Sequence, residues 1–409
     1  MRFLLDVLLL IFALCAAVPS LWFFVECILG AFYRPERRTI PRVEPPPRIA
    51  VLMPAHNEGV GIEKTIQALA PQLNATTQLY VVADNCTDNT AELAAKSGAQ
   101  VIERTDPDRR GKGYALAYGL DHLAQDPPSV VIILDADCEL TEGGLTALAH
   151  DALRSDAPVQ ADYVLLPNPN PSPRSVVSAL AFLVKNRVRP RGLSALGFPC
   201  LLTGTGMAFP WPVLRKAPPT NDNLVEDMVM GLELAQLGHA PRLCPDVCVT
   251  SALPEGEKTA TKQRTRWEHG HLATMISHAP KLMLRGIFQA RIELCALALE
   301  LLVPPLSLLV ISLIAGTVLC TIALFLGASV LPLVVFLLCI AAIGGGALAG
   351  WKAYGRDLVS ARDLLSIPKY ILWKLPLYLG FFSKGKQQGW ERTDRTQDPS
   401  SKTPSPPAL

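Results

Sequence analysis

Two carboxylates separated by one residue, Asp135 and Asp137 in "ILDADCE", close a run of apolar residues. On extended backbone, positions i and i+2 face the same side. A loop there can hold a hard divalent cation through one or two carboxylates, with phosphate oxygens completing the shell. A plain solvated acidic loop is the alternative. Asp84 and Asp88 close an earlier apolar run in "VVADNCTDNT", and Glu58 in "PAHNE" closes another. Asp84 is placed to accept hydrogen bonds from a base or ribose, whereas Asp88 suits a helix cap. Lys112 in "RGKGYAL" opens a helix between glycines, but the stretch does not match GxxxxGK[ST] and is no P-loop. It either touches a nucleotide or stands as a solvated helix start. Glu226 and Asp227 in "NDNLVEDMVMG" fall in the first turn of a helix, where acids complement the macrodipole. The same field keeps a carboxylate ionised, as a general base for a hydroxyl requires.

The elements between these residues alternate. "RIAVLMPAHNE", "LYVVADNCTDNT", "QVIERT" and "SVVIILDADCEL" read as strands, and "GIEKTIQALAPQL", "AELAAKSG" and "GKGYALAYGLDHLA" as the helices between them. Apolar strands alternating with helices predict an α/β domain with a mostly parallel sheet covered on both faces. Ligands of such sheets sit beyond the strand C-termini, where the acids fall. Further on, "VQADYVLLPNPNPSP" reads as a strand and turn, "SVVSALAFLVKNRV" as a helix and "LLTGTGMAF" as a strand. "NDNLVEDMVMGLELAQLG" reads as a helix with a clear start and stop.

The 409 residues are 50% hydrophobic and only 18% charged, with mean hydropathy +0.27, so a soluble domain is joined to membrane segments. A net charge of +2 provides no field for nucleic acid. The ten cysteines form no paired CxxC sets, which disfavours structural zinc and suits reduced thiols. Phe3 to Phe32 is long enough to span a bilayer, and Trp22, Phe23 and Phe24 occupy the place of a signal-peptide cleavage site. Arg34, Arg37, Arg38 and Arg42 follow, placing the next domain on the cytoplasmic side. Two more spans are expected near Ala296–Leu326 and Leu331–Trp351. Residues 363–383, with two Lys and two Pro, either span or lie in the interface. The expected organisation is a membrane helix at 1–33, a basic linker at 34–47 and a cytoplasmic domain at 48–271. Interfacial helices at 272–295, membrane or interfacial helices at 296–383 and a disordered tail at 384–409 complete it.

The ordered series PAHNE, VVADNCTD, RGKGYAL, DADCE, VED and QRTRW resembles the motif series of membrane-bound family 2 glycosyltransferases, the cellulose, chitin-oligosaccharide and hyaluronan synthase group. The resemblance covers roughly Arg48 to His271. It implies a GT-A-type nucleotide-sugar-binding domain, with Asp84 on the base and Asp135 and Asp137 on the donor diphosphate through Mg2+ or Mn2+. Asp227 would be the catalytic base, with Glu226 beside it. Val225 stands where the family usually has Thr. Gln263, Arg266 and Trp267 match QxxRW, implying that Arg266 offsets charge on the departing diphosphate and Trp267 forms the acceptor end, on an interfacial helix. His269 and His271 are expected at the surface and not as metal ligands. The implied reaction is inverting transfer from a UDP-hexose or UDP-N-acetylhexosamine to a growing polysaccharide. Single transfer to a membrane lipid, as in the similar ceramide glucosyltransferases, is the alternative, and a silent nucleotide-sugar-binding scaffold is a third reading. Implied partners are the donor, a saccharide or lipid acceptor, membrane lipid and accessory export subunits, at the inner or plasma membrane.

Overall fold

The computed structural model describes residues 2–35, 44–168, 171–217, 226–253 and 257–384. Arg37, Arg38 and Arg42, the side chain of Glu226, Val225 and the tail beyond 384 lie outside the described residues. The chain forms two compact units. One comprises Arg34–Asn170 and Pro199–Gln263, and the other comprises Met1–Tyr33, Pro171–Phe198 and Arg264–Gln387.

Helix α1 (Arg2–Phe32) opens the helical unit. The sheet unit then alternates as its hydrophobic pattern predicts: β1 (Ile49–Ala55), α2 (Ile62–Leu69), β2 (Thr77–Asp84), α3 (Thr90–Lys96), β3 (Gln100–Arg104), α4 (Lys112–Leu123) and β4 (Val130–Ile133). After the short β5 (Glu139–Leu140) come α5 (Gly144–Ser155) and β6 (Val159–Leu166). Helices α6 (Pro173–Leu183) and α7 (Arg189–Ala195), joined by a π-helical turn at Val184–Val188, belong to the helical unit. The sheet unit resumes with β7 (Met207–Pro210), α8 (Trp211–Leu214), α9 (Glu226–Gln236) and β8 (Arg242–Ala252).

The eight strands form one sheet in the order β3-β2-β1-β4-β7-β6-β8-β5. Strands β1 to β4 run parallel, β7 is antiparallel to both neighbours, and β8 runs parallel to β6. The first half is thus the parallel sheet the sequence predicts, and the second half is mixed. One face buries Leu52, Val82, Val131, Ile133 and Phe209 against Ala115, Leu116 and Leu123 of α4 and Met230 and Leu234 of α9. "LLTGTGMAF" is not strand throughout: only Met207–Pro210 pairs, and the glycine-rich part before it is a turn.

Helix α10 (Glu257–Phe288) runs without interruption through QRTRWEHGH, so Gln263, Arg266 and Trp267 lie on a helix, as the resemblance implies. It is followed by α11 (Ile292–Leu302), α12 (Leu306–Phe325), α13 (Leu331–Gly350), α14 (Ile367–Trp373) and α15 (Leu375–Lys384). The stretch Ala296–Leu326 is therefore not one span. Pro304 and Pro305 supply no amide and obstruct the preceding turn, so the chain breaks after Leu302 and restarts at Leu306. Among the described residues, three helices are long and apolar enough to cross a membrane: Phe3–Phe32, Leu306–Phe325 and Leu331–Gly355.

Within the helical unit, α1 packs along α13 and α7. A methyl on Gly192 would overlap the Glu26 carbonyl, so glycine is what allows α7 to approach α1 this closely. Arg189 of α7 is buried between two acids: its Nε lies 2.6 Å from Glu26 Oε2 and its Nη2 lies 2.7 Å from Glu300 Oε2. Composition alone had not pointed to this buried trio. His269 and His271 are also buried, contrary to the expected surface placement. Each donates from Nε2 to a backbone carbonyl, of Leu377 and Val303 respectively, both at 3.1 Å. Burial, with repulsion from Lys185 and Arg189, holds His271 down to about 3, so it is neutral at physiological pH.

Candidate active site

Parallel pairing sets the site. Because β2, β1 and β4 run the same way, the loops after Ala55, Asp84 and Ile133 leave one edge of the sheet together. Met207 pairs with Ile133 antiparallel, so the turn preceding β7 reaches that same edge. Four separated sequence motifs are thereby gathered.

The loops after β1 and β2 are tied to each other. Asn57 and Asn85 both take positive φ, at 54° and 50°, a conformation that asparagine tolerates better than most residues. Asn57 Oδ1 accepts the Thr87 amide at 2.7 Å, and the Glu58 amide donates to Thr90 Oγ1 at 2.8 Å. Asp88 is not the cap of α3, whose N-cap is Asn89; one residue earlier, it accepts the Thr90 amide at 3.1 Å and the Gly59 amide at 3.1 Å, tying the start of α3 to the loop after β1. Asp84 is buried at the floor of these loops, with the Arg104 Nη1 donating to its Oδ1 at 2.5 Å. Asn85 Nδ2 donates to the same oxygen at 3.0 Å. Arg104 also donates to Asp106 at 3.1 Å and lies over the Tyr114 ring. This arginine was missed in the sequence because a charged residue in a short strand reads as an ordinary exposed position.

Lys112, Asp135 and Asp227 meet on the other side. Lys112 Nζ donates to Asp135 Oδ1 at 2.5 Å and to the Gly204 carbonyl at 2.6 Å. Gly204, at φ +92°, presses its α-carbon toward the same group: a methyl built there would sit 3.3 Å from Asp227 Oδ2 and 3.7 Å from Lys112 Nζ. The turn is held from beneath by buried Gln160. Its amide donates to the Thr205 carbonyl at 2.9 Å, and its oxygen accepts the Thr203 amide at 2.9 Å. Thr205 Oγ1 in turn accepts the Asp135 amide at 3.0 Å. The doubled glycine of "TGTG" is the signal that marks this turn.

Asp135, Asp137 and Cys138 have ligand atoms all within 4.8 Å of one another. Burial keeps the Cys138 thiol well above its usual range and hence protonated, with the Asp137 and Asp135 charges adding to the shift. The carboxylate oxygens are therefore the donors this group offers. Hard oxygen donors, two on one loop and open to solvent in part, fit Mg2+ or Mn2+ and not a soft metal.

Gln263 belongs to the sheet unit, whereas Arg266 and Trp267, on the same helix, belong to the helical unit. There the Trp267 ring lies 5.7 Å from that of Phe182, and Arg266 Nε is buried with no hydrogen-bond partner among the described residues.

A family model, "Glycosyltransferase like family 2", matches residues 46–270, more than half of the chain. The chain belongs to this glycosyltransferase family. Relatives agree with that assignment. A hexosyltransferase of low-salt glycan biosynthesis, Agl6 of Haloferax volcanii, is 41% identical over 114 residues, covering 27% of this chain and 26% of that protein. The probable glycosyltransferase YdaM of Bacillus subtilis is 25% identical over 245 residues, 55% of each chain. The glycosyltransferase thus matches between about a quarter and a little over half the length of these relatives. Among solved structures, a Pyrobaculum calidifontis mannosyltransferase in complex with GDP-mannose and Mn2+ superposes with TM-score 0.54 at 18% identity. That match covers 92% of this chain and 99% of the other, and it establishes the GT-A-like fold.

Proposed function

We propose that this glycosyltransferase moves a sugar from a nucleotide-sugar donor to a hydroxyl of an acceptor held at a membrane, in one displacement that inverts the anomeric centre. The observation that carries this reading is the convergence of Lys112, Asp135 and Asp227 around the Gly204 turn, beside the Asp137 carboxylate. Family membership supplies the reaction class.

Asp84, oriented by Arg104, and Glu58 face the nucleoside, and Lys112, held by Asp135 and the Gly204 carbonyl, meets the diphosphate. Asp137, with Asp135, would hold the divalent cation. When bound, that ion offsets charge on the departing diphosphate, which is commonly the largest contribution to such a rate. Asp227 sits in the first turn of α9, where the helix field favours its ionised form, and takes the acceptor proton as the hydroxyl attacks. Glu226 precedes it and helps to hold the acceptor. Of the QxxRW residues Gln263, Arg266 and Trp267, Arg266 offsets charge on the departing diphosphate, as a guanidinium suits phosphate, and Trp267 helps form the acceptor end, its indole suiting a sugar face.

Residues 48–271 form the cytoplasmic catalytic part in this reading, and the apolar helices on either side anchor it in the inner or plasma membrane. QRTRW favours a growing polysaccharide as acceptor. A single lipid acceptor is the second reading, favoured by α11, α14 and α15, apolar helices of 11, 7 and 10 residues. A span needs roughly 20 residues; α11 is largely buried in the helical unit, and in this reading α14 and α15, with Leu372 and Leu379 exposed, lie at the interface where a lipid headgroup would be met.

The test uses membranes containing the full chain, Mn2+ or Mg2+, and a panel of labelled nucleotide sugars. A ladder of polymer in the aqueous fraction supports the polysaccharide reading, and one labelled lipid supports the other. No metal-dependent transfer from any donor contradicts both and leaves a silent binding scaffold.

A further inference from the structure

The segment after α13 meets α10 at the turn that carries Arg266 and Trp267. Trp373, the last residue of α14, has two guanidinium groups over its ring, Arg174 of α6 at 5.2 Å and Arg264 of α10 at 5.6 Å from the centroid. Lys374, at the break between α14 and α15, is 3% exposed and forms an ion pair with Glu268 of α10. Its ammonium also lies 5.1 Å from the centre of the Tyr370 ring. One turn further on, His269 donates to the Leu377 carbonyl and packs its ring edge-on to Phe381 at 5.1 Å. Three consecutive contacts, through residues 264, 268 and 269, therefore bracket positions 266 and 267.

The opposite face of this segment is apolar and outward. Leu365, Leu372 and Leu379, spaced by seven, are 83%, 65% and 66% exposed. Arg362 and Lys369 are exposed on the same segment. Neither α14 nor α15 is long enough to cross a bilayer, and both belong to the unit that holds all three apolar spans. Leucines flanked by basic residues on short helices fit an anionic lipid surface, with leucine in the acyl boundary and Arg or Lys among headgroups.

We propose that residues 363–381 form a strap lying in the lipid interface, and that its buried Lys374–Glu268 pair latches the Arg266–Trp267 turn of α10. Lys374 is then a positioning residue for the transfer proposed above, and this role rests on that reading. A buried pair of this kind contributes little net stability when intact but strands a charge when one partner is lost. Its removal lets the turn move, and displacement of an aligned group lowers the rate at the chemical step and not at donor binding.

The test uses the full chain in nanodiscs of phosphatidylcholine and phosphatidylglycerol, comparing wild type with Lys374→Met, Lys374→Arg and the swap Lys374→Glu with Glu268→Lys. Amide exchange of residues 264–271 and 367–381 is read beside steady-state transfer. Lys374→Met is expected to speed exchange in both segments about tenfold and to lower kcat about tenfold, with KM for the nucleotide sugar unchanged. Lys374→Arg and the swap restore most of both. Unchanged exchange at 264–271 in Lys374→Met overturns the latch whatever the activity does. Wild type that transfers no sugar overturns the functional reading while exchange still decides the latch. For the lipid face, Leu372→Asp with Leu379→Asp should speed exchange at 367–381; unchanged exchange contradicts the interfacial placement.

Discussion

Gly204→Ala probes the site through two separable effects. The first is conformational. Gly204 has φ +92°, and an L-residue held in such a conformation costs about 1–2 kcal/mol. At roughly 2–4 °C per kcal/mol for a domain of this size, the melting temperature should fall by about 2–8 °C. The second effect is local. The new methyl sits 3.3 Å from Asp227 Oδ2, closer than side chains normally tolerate, so the carboxylate gives way by about 0.3–0.5 Å. Misplacement costs on the order of a hundredfold per ångström, which gives a fall of roughly four- to tenfold in kcat. Gly98→Ala is the control. Gly98 has φ +94° in the same unit, and a methyl there meets nothing within 4 Å. The assay is transfer of label from the donor at saturating acceptor, with melting followed on the same samples. Both variants should lose similar stability, and only Gly204→Ala should lose rate. Equal rates in the two variants would refute the placement of a working carboxylate beside Gly204.

Two further outcomes follow from the helical unit. Arg189→Met leaves Glu26 and Glu300 buried without their cation and should cost about 3–5 kcal/mol, seen as loss of folded protein in detergent, while Glu26→Gln should be far milder. Equal losses in both variants would contradict the central role of Arg189. The pH dependence of stability should carry the signature of His271. The unfolded chain takes up this proton near pH 6.5, the folded protein only near 3, so the unfolded state binds more protons between those values. Stability therefore falls as pH drops through that window, by up to about 1.4 kcal/mol per unit. His271→Gln should flatten the fall in melting temperature between pH 7 and 5, and parallel slopes would contradict it.

Much of the candidate site was legible because the residues proposed for it sit at strand ends. Asp84, Asp135 and Glu58 each close an apolar run, and parallel pairing of β1, β2 and β4 forces the ends of such runs together. Asp227 was legible as a helix first turn. Long-range pairing hides the rest. Nothing local to Arg104 says that it will meet Asp84, twenty residues earlier, and Gln160 supports Thr203 and Thr205 across a mixed part of the sheet that alternation does not predict. "LLTGTGMAF" was read as strand because its apolar ends outweighed the paired glycines between them. His269 and His271 were read as surface residues for a similar reason: polarity suggested solvent, whereas each finds a buried carbonyl. The Arg189 trio shows the same logic, with each charge unremarkable alone and compensated only in the fold.

The most direct measurement compares wild type with Asp227→Asn for Mn2+-dependent transfer from a nucleotide sugar, with binding of the nucleoside diphosphate measured in parallel. The substitution keeps the size of the side chain and removes the base. Binding within about twofold of wild type, with transfer reduced by at least a hundredfold, is the expected result. Transfer that survives in Asp227→Asn would contradict the assignment of Asp227 as the group that takes the acceptor proton.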